Sequence, residues 1–350
     1  MRIPLKTALL CITLLGFGLT TVEGVQAVER AKKPVSQKIK TKSKSATPRS
    51  AGVSDIKKGK SSLSSHKKHV RAVSATSAVQ LQELRSPAVQ SGSALVVDQV
   101  GGEALFQKNA SAIAPIASIT KVMTAMVVLD SAPNMQAPIT IADDDVDYLR
   151  GSRSRLHVGS VLKRESALLL ALMSSENRAA HALARNYPGG MPAFLDAMNI
   201  KAQALGMRDT RFEDPTGLTS SNVSTAQDLA KMVAAAYRYP LIREFTTTSE
   251  AIVEVGGRDL AFHNTNPLVK SAAWDVGLSK TGYIQEAGKC LVMQARVADK
   301  PVVIVLLDSI GKLTRVGDAN RIKHWMESAQ ASHKQPTQAF LTRERSRWPG

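Results

Sequence analysis

The chain has 350 residues, 43% of them hydrophobic, 4% aromatic and 21% charged, with a formal net charge of +17. That length accommodates one large domain or two ordinary ones, with enough apolar residues for a packed core. The basicity is uneven: residues 29–71 hold 14 Lys and Arg against Glu29 and Asp55, whereas residues 72–330 are close to neutral, which excludes a uniformly basic nucleic-acid-binding body.

Residues 1–27 read as a secretory signal peptide. Arg2 and Lys6 precede an apolar run from Ala8 to Leu19, and Val25-Gln26-Ala27 fits an A-x-A-like cleavage site. The run is short for a membrane span; an uncleaved N-terminal anchor is the alternative. Cys11 lies inside the run with further apolar residues after it, which argues against lipoprotein-type cleavage. Once the segment is removed only Cys290 remains, so neither an intrachain disulfide nor a cysteine-based metal site can form. Its strand-like setting, "KCLVMQARV", predicts a buried core thiol.

Residues 28–78 form a basic arm rich in Lys, Ser, Thr and Pro and free of aromatics. Such a segment buries too little apolar surface to offset its ordering entropy, so disorder is expected. Two readings of it stand side by side: attachment to anionic envelope polymers, and a solvated spacer. An exported protein is not expected to meet nucleic acid. At the other end, residues 331–350 form a basic tail, with Lys334, Arg343, Arg345 and Arg347 against Glu344.

The body, residues 79–330, alternates strands and helices. "GSALVVDQVGGEALFQKN" predicts a hairpin around Gly-Gly, and residues 116–130 a helix. "ADDDVDYLRGSRSRLHVG" crowds Asp143, Asp144, Asp145 and Asp147 without the later Glu of a calcium loop, and reads as a solvated turn. "ESALLLALMSSENRAAHALARN" predicts a helix broken at Ser174–Asn177. "SNVSTAQDLAKMVAAAYR" opens with a capping-box pattern, Ser224 and Gln227. "CLVMQARVADKPVVIVLLD" predicts a second hairpin around Asp-Lys-Pro, and "RVGDANRIKHWMESA" a closing helix. Hairpins at both ends with helices between them predict one α/β (α+β) domain: an antiparallel sheet flanked by helices, its N- and C-terminal strands meeting.

In "PIASITKVMTAMVVLD", Lys121 is the only charged residue between Lys108 and Asp130, and Ser118 stands three positions before it. Residues i and i+3 share a helix face, so the two side chains can meet. A serine hydroxyl becomes a nucleophile when a base removes its proton, and a neutral lysine can be that base. Lowering its pKa from about 10.4 to near 7 amounts to about 4 kcal/mol, which burial and a second cation supply. By itself S-x-x-K is a weak signal, since a snorkelling lysine also accounts for it. Two more elements follow in order: Ser175 and Asn177 in "MSSENRAA", and Lys280-Thr281-Gly282 in "GLSKTGYIQEAGKC", just before a strand-like hairpin. The ordered set S-x-x-K, S-x-N, K-T-G resembles that of active-site serine penicillin-binding proteins and class A β-lactamases.

"SGSALVVD", "YPGG", "LGMRDTRFEDPTGL", "NVSTAQDLAK" and "NTNPLVK" extend the resemblance over residues 90–330, to low-molecular-mass D-alanyl-D-alanine peptidases of the penicillin-binding protein 7 type. The resemblance implies a β-lactamase/DD-peptidase-like fold with a helical lobe, and a periplasmic enzyme acting on peptidoglycan peptide stems. It further implies Ser118 as nucleophile, Lys121 as general base, Ser175 as proton relay and Asn177 as a holder of Lys121 or substrate. Lys280 and Thr281 would take the substrate carboxylate, with Lys280 also lowering the pKa of Lys121. Gly282 would let the substrate backbone lie close, and the N–H groups of Ser118 and Tyr283 would hold the oxyanion. No cofactor or metal is implied, and β-lactams become covalent inhibitors. The expectation is an endopeptidase, a preference that rests on the overall resemblance and not on the motifs, which both reactions share; one feature of the carboxypeptidase branch, an extra domain after the closing helix, has no room in the twenty or so residues that remain. A DD-carboxypeptidase is the nearest rival; a β-lactamase lacks a recognisable deacylating Glu, and a non-catalytic wall-binding module would not need the full motif set.

Other residues carry less. His157, His181, His263 and His324 show no paired-ligand spacing, and Asn264 and Asn266 read as structural turn residues. No G-x-G-x-x-G, Walker or G-x-S-x-G pattern occurs.

Overall fold

The computed structural model describes residues 86–334; the expected signal segment, the basic arm and residues 335–350 lie outside them. Short runs rich in apolar and β-branched residues form the five strands of the main sheet: β1 (Ser93–Asp98), β2 (Ala104–Lys108), β3 (Asp275–Ile284), β4 (Gly288–Val297) and β5 (Lys300–Ser309). They form one sheet in the order β2-β1-β5-β4-β3, and β1 pairs antiparallel with β5, so the strands from the two ends of the body meet. Residues 302–307 of β5 are buried without interruption because both faces of the sheet are covered. Ile304 and Leu306 pack on one face with Ala319 and Ile322, while Val303 and Val305 join the larger cluster on the other, as a period of two requires.

Among the described residues there are seven α-helices: α1 (Thr120–Asp130), α2 (Arg164–Met173), α3 (Asn177–Arg185), α4 (Gly190–Ala204), α5 (Ala226–Ala236), α6 (Pro240–Thr247) and α7 (Thr314–Lys334), of which α5, α6 and α7 pack against the sheet. The closing helix α7 covers one face through Ala319, Ile322 and Met326 and runs past the boundary expected at residue 330. On α1 every residue from Thr120 to Val128 is buried. A helix apolar on all sides belongs in the middle of a lobe rather than on a surface. Among the described residues no helix is long and apolar enough to cross a membrane.

Four local expectations are corrected. The N-cap of α5 is Thr225, whose side chain accepts from the Asp228 N–H; Ser224 instead pairs with Thr210 at 2.7 Å. The β4–β5 turn is Ala298-Asp299, both left-handed at φ 50° and 62°, and Lys300 and Pro301 already belong to β5. Two consecutive left-handed residues give the turn whose twist matches the strands, and the sequence signal for it is weak because neither is glycine. Lys280-Thr281-Gly282 lies within β3 rather than ahead of the hairpin. Asp145 is not solvated: its side chain is fully buried, paired with His181 Nδ1 and Arg185, each at 2.8 Å. It ties the 143–147 segment to α3. Asn264 is structural as expected, donating to the carbonyls of Thr246 and Thr248.

Candidate active site

Ser118 sits in a 3₁₀ turn, Ala117–Ile119, that runs directly into α1. The residue before it, Ala117, is left-handed at φ 48°. Strain of this kind persists where surrounding structure enforces it. Here the enforcing contact is Gly217, itself at φ +81°, where an added Cβ would stand 1.9 Å from the Ala117 carbonyl oxygen. The backbone around Ser118 is thus pinned by a loop about 100 residues later, and only glycine fits there.

One turn further, Lys121 is 1% exposed. Its Nζ lies 2.9 Å from Ser118 Oγ, 2.7 Å from Asn177 Oδ1 and 2.7 Å from the Thr216 carbonyl oxygen. Burial lowers its pKa to about 7, against the opposing pull of Asp214, Glu176 and Asp147. A neutral amine has two N–H donors and one lone pair. Asn177 Oδ1 and Thr216 O take the two donors, and the lone pair is left facing the Ser118 hydroxyl. That is the arrangement a general base needs.

Ser175 and Asn177 come from the break between α2 and α3. Ser175 is left-handed at φ 63°, which ends α2 and swings the chain into the cleft, and Asn177 opens α3. While Asn177 Oδ1 accepts from Lys121, its Nδ2 donates to Ser152 Oγ at 2.9 Å. Ser152 is in turn held through its N–H by Asp147 Oδ2 at 2.9 Å, and Ser154 Oγ donates to Glu176. The acidic stretch thereby positions the cleft wall.

β3 is an edge strand, so one side of its backbone is unclaimed by the sheet. Such an edge can pair with an extended peptide. Lys280 is 1% exposed, and its Nζ donates to Ser175 Oγ at 2.9 Å and to the Thr281 carbonyl at 3.0 Å. Its pKa is pushed well below the ordinary lysine value by burial, then by Lys121 and Arg315. The two buried amines therefore compete for charge, and burial, rather than Lys280, is the chief cause of the shift at Lys121. A bound carboxylate would restore the charge on Lys280. Thr281 Oγ1 lies 2.6 Å from Thr265 Oγ1. The lack of a side chain at Gly282 has a reason within the protein as well: a Cβ there would stand 2.9 Å from the Ile116 carbonyl oxygen and 3.1 Å from Ser118 N. The strand and the serine-bearing turn need glycine to touch. Tyr283 is 60% exposed, with Lys289 Nζ 3.8 Å from its ring centroid.

These residues border one cleft of about 560 Å³, lined by Ser118, Ser175, Asn177, Thr281, Gly282 and Tyr283 together with Arg150, Ser152, Leu218, Thr265 and Arg315. Lys121 and Lys280 lie behind its wall, reaching it through Ser118 and Ser175. Sequence reasoning assigned no role to Thr216, Gly217, Ser152, Thr265, Arg150 or Arg315. Of these only "DPTGL" carried a signal, a Pro-Thr-Gly turn, and the part it plays is by backbone carbonyl and close approach. Cys290 is buried as expected, and burial raises its thiol pKa to about 11.

Residues 80–311 match the peptidase S11 family, described as D-alanyl-D-alanine carboxypeptidase. The chain is 50% identical over 244 residues to a D-alanyl-D-alanine endopeptidase of Pseudomonas aeruginosa, covering 69% of this chain and 79% of that protein. It is 44% identical over 246 residues to a D-alanyl-D-alanine endopeptidase of Escherichia coli, covering 70% and 79%. Among solved structures, the Streptomyces K15 DD-transpeptidase superposes with a TM-score of 0.65 at 29% identity, covering 69% of this chain and 99% of that one. With a buried lysine facing a serine at the head of a core helix, and a family match across most of the body, the chain belongs to the peptidase S11 family of serine D-alanyl-D-alanine peptidases.

Proposed function

We propose that this protein is a serine DD-endopeptidase that cleaves D-Ala-containing cross-links of peptidoglycan. The observation that carries the catalytic part is the lone pair of Lys121, left to Ser118 Oγ by the two acceptors Asn177 Oδ1 and Thr216 O. Lys121 takes the Ser118 proton as Oγ attacks the carbonyl of the D-Ala peptide bond. The C–N bond then breaks, and the proton reaches the leaving amine through Ser175, which Lys280 orients. Thr281 and the Lys280–Arg315 cation cluster receive the substrate carboxylate, and the N–H groups of Ser118 and Tyr283 hold the oxyanion. Asn177 keeps Lys121 in place. Water then releases the acyl group. No carboxylate lines the cleft among the described residues, so a β-lactam ester on Ser118 has no dedicated base to clear it and persists.

The preference for cross-links rests on identity: the relatives at 50% and 44% are named endopeptidases, whereas a Bacillus subtilis relative named a carboxypeptidase is 28% identical. The family's own description, carboxypeptidase, supports the second reading. The signal-peptide pattern of residues 1–27 supports export to the periplasm, the Lys-rich composition of the arm, residues 28–78, suits either attachment to anionic envelope polymers or a solvated spacer, and residues 79–330 are the catalytic domain. The test is chromatography of muropeptides after incubation with the enzyme, with Ser118→Ala as control. Loss of a cross-linked dimer with survival of a D-Ala-D-Ala monomer is expected. Release of terminal D-Ala alone makes it a carboxypeptidase, and no Ser118-dependent change removes the catalytic reading.

A further inference from the structure

Ser175 and Thr265 meet β3 at Lys280 and Thr281, upstream of Gly282 and Tyr283. Past them the cleft is flanked by the run 152–156 and by the end of a hairpin, Glu250–Val255 and Arg258–His263. Ser174 Oγ ties that hairpin to the helix break, donating to the His263 carbonyl at 3.1 Å. Arg155 spans the two flanks. Its guanidinium lies 3.7 Å from the Phe262 ring centroid, and its Nη1 donates to the Ala261 carbonyl.

The charge at this end is uncompensated. Among the described residues, Arg153, Arg155 and Arg178 form no ion pair. The carboxylates near them are already engaged: Glu176 accepts from Ser154 Oγ at 2.6 Å, and Glu250 pairs with Lys270 at 3.0 Å and with His263 Nδ1 at 3.4 Å. Arg178, the residue after Asn177, donates Nη1 to the Leu156 carbonyl at 2.8 Å, and its Nε is buried without a partner. Arg155 is exposed, and an arginine carries five N–H donors in a fork that matches a carboxylate. One carbonyl and one aromatic face hold it in place, which leaves its other donors for a ligand.

The inference drawn from this rests on the proposed function. Cleavage of a cross-link and release of a terminal D-Ala share the acyl half and differ in what leaves. A terminal D-Ala is one residue, and its single carboxylate goes to Thr281. The leaving amine of a cross-link belongs to a second peptide stem, whose further carboxylates have to lie past Thr281 and Ser175. Arg155 is three residues from Ser152, so at most about 10 Å of chain separates it from the cleft wall, within the span of such a stem. We propose that Arg155 forms a subsite for a carboxylate of the leaving stem, with Arg153 and Arg178 adding to the positive potential around it. Its fork donates to that carboxylate while the guanidinium stays on the Phe262 ring. A single D-Ala gains nothing there, so the subsite favours cross-links.

The test follows hydrolysis of two cross-linked muropeptide dimers by the full-length protein. In one, the carboxylates of the second stem are free; in the other they are amidated, except the one beside the leaving amine. Wild type is expected to show a KM about tenfold lower for the free dimer, the scale of one charge-assisted hydrogen bond. Arg155→Gln is expected to raise the KM for the free dimer to that of the amidated one. Arg155→Lys, which keeps the charge without the fork, should fall between them. A penicillin has no second stem, so its acylation rate separates a subsite from a structural support. A variant that loses acylation by the same factor as dimer cleavage overturns the subsite. Equal KM values for the two dimers in wild type also overturn it and leave the endopeptidase reading intact. Cleavage of neither dimer, with terminal D-Ala still released, overturns that reading and the subsite together.

Discussion

At Lys121 the protein sets the cost of burying an amine against the use of its lone pair. With a folded pKa of about 7 against an ordinary 10.5, the group binds fewer protons folded than unfolded between those values. Its burial therefore costs stability in full below about pH 7, on the order of 5 kcal/mol, and the cost fades as pH rises toward 10.5. The same titration sets activity, because only the neutral amine accepts the Ser118 proton. The rate of penicillin acylation, followed by fluorescent labelling from pH 5.5 to 9, should rise through about pH 7 and level above it. A rate flat across that range would remove Lys121 as base. Ser118→Ala should abolish labelling while leaving the melting temperature within a few degrees of wild type, because its Oγ is one of three partners of Lys121 and the other two remain.

Among the elements, the 3₁₀ turn before α1 depends on the loop that carries Gly217. Gly217→Ala should cost more than about 3 kcal/mol in chemical denaturation and reduce acylation sharply, since the new methyl meets a backbone carbonyl at 1.9 Å in a left-handed position. Gly206→Ala is the matched control: also left-handed, at φ +70°, but with nothing within 4 Å of an added Cβ, it should cost only about 1 kcal/mol. In the β4–β5 turn the pressure runs the other way. Ala298 is left-handed at φ 50° without being glycine or asparagine, so Ala298→Asn should stabilise by about 0.5 kcal/mol or more. These positions also explain what the sequence left illegible at this scale. Lys121 stands out as the only charge in an apolar run, and Ser118, Ser175, Asn177 and Lys280 are legible with it through the ordered motif set and the resemblance that set carries. Thr216 escaped because it contributes a carbonyl, a group every residue possesses.

Across the whole molecule, the first described segment is locked to the last helix by one carboxylate. Asp318 on α7 has no exposed side-chain surface; it accepts from the N–H groups of Gln90 and Ser91 at 2.9 and 2.7 Å, from Ser91 Oγ, and from Arg321. Burial alone would raise its pKa, but these donors outweigh it and hold the group below the ordinary aspartate value. The contribution is thus present above the unfolded pKa of about 3.8 and is lost as pH falls through the lower folded value. Asp318→Ala should cost about 3 kcal/mol at neutral pH, leaving the buried Ser91 N–H and hydroxyl and the part-buried Gln90 N–H without their acceptor. The difference from wild type in denaturant midpoint should shrink in strong acid; an unchanged difference at low pH would mean the charge is not what matters.

The residue types that the chemistry requires, their order along the chain, and the hairpins and helices that carry them are legible in the sequence. Hydrophobic period and the scarcity of charge in apolar runs are local properties, readable without coordinates. Tertiary structure decided which groups complete the site. The partners of Lys121 lie 56 and 95 residues away, and Ser175 meets Lys280 across 105. The edge position of β3, the glycine contacts at Ser118 and the reach of Arg155 to Phe262 are likewise juxtapositions between distant segments. They arise only when the lobe and the sheet close on each other, because backbone carbonyls and close approaches leave no mark on residue identity until the chain is folded.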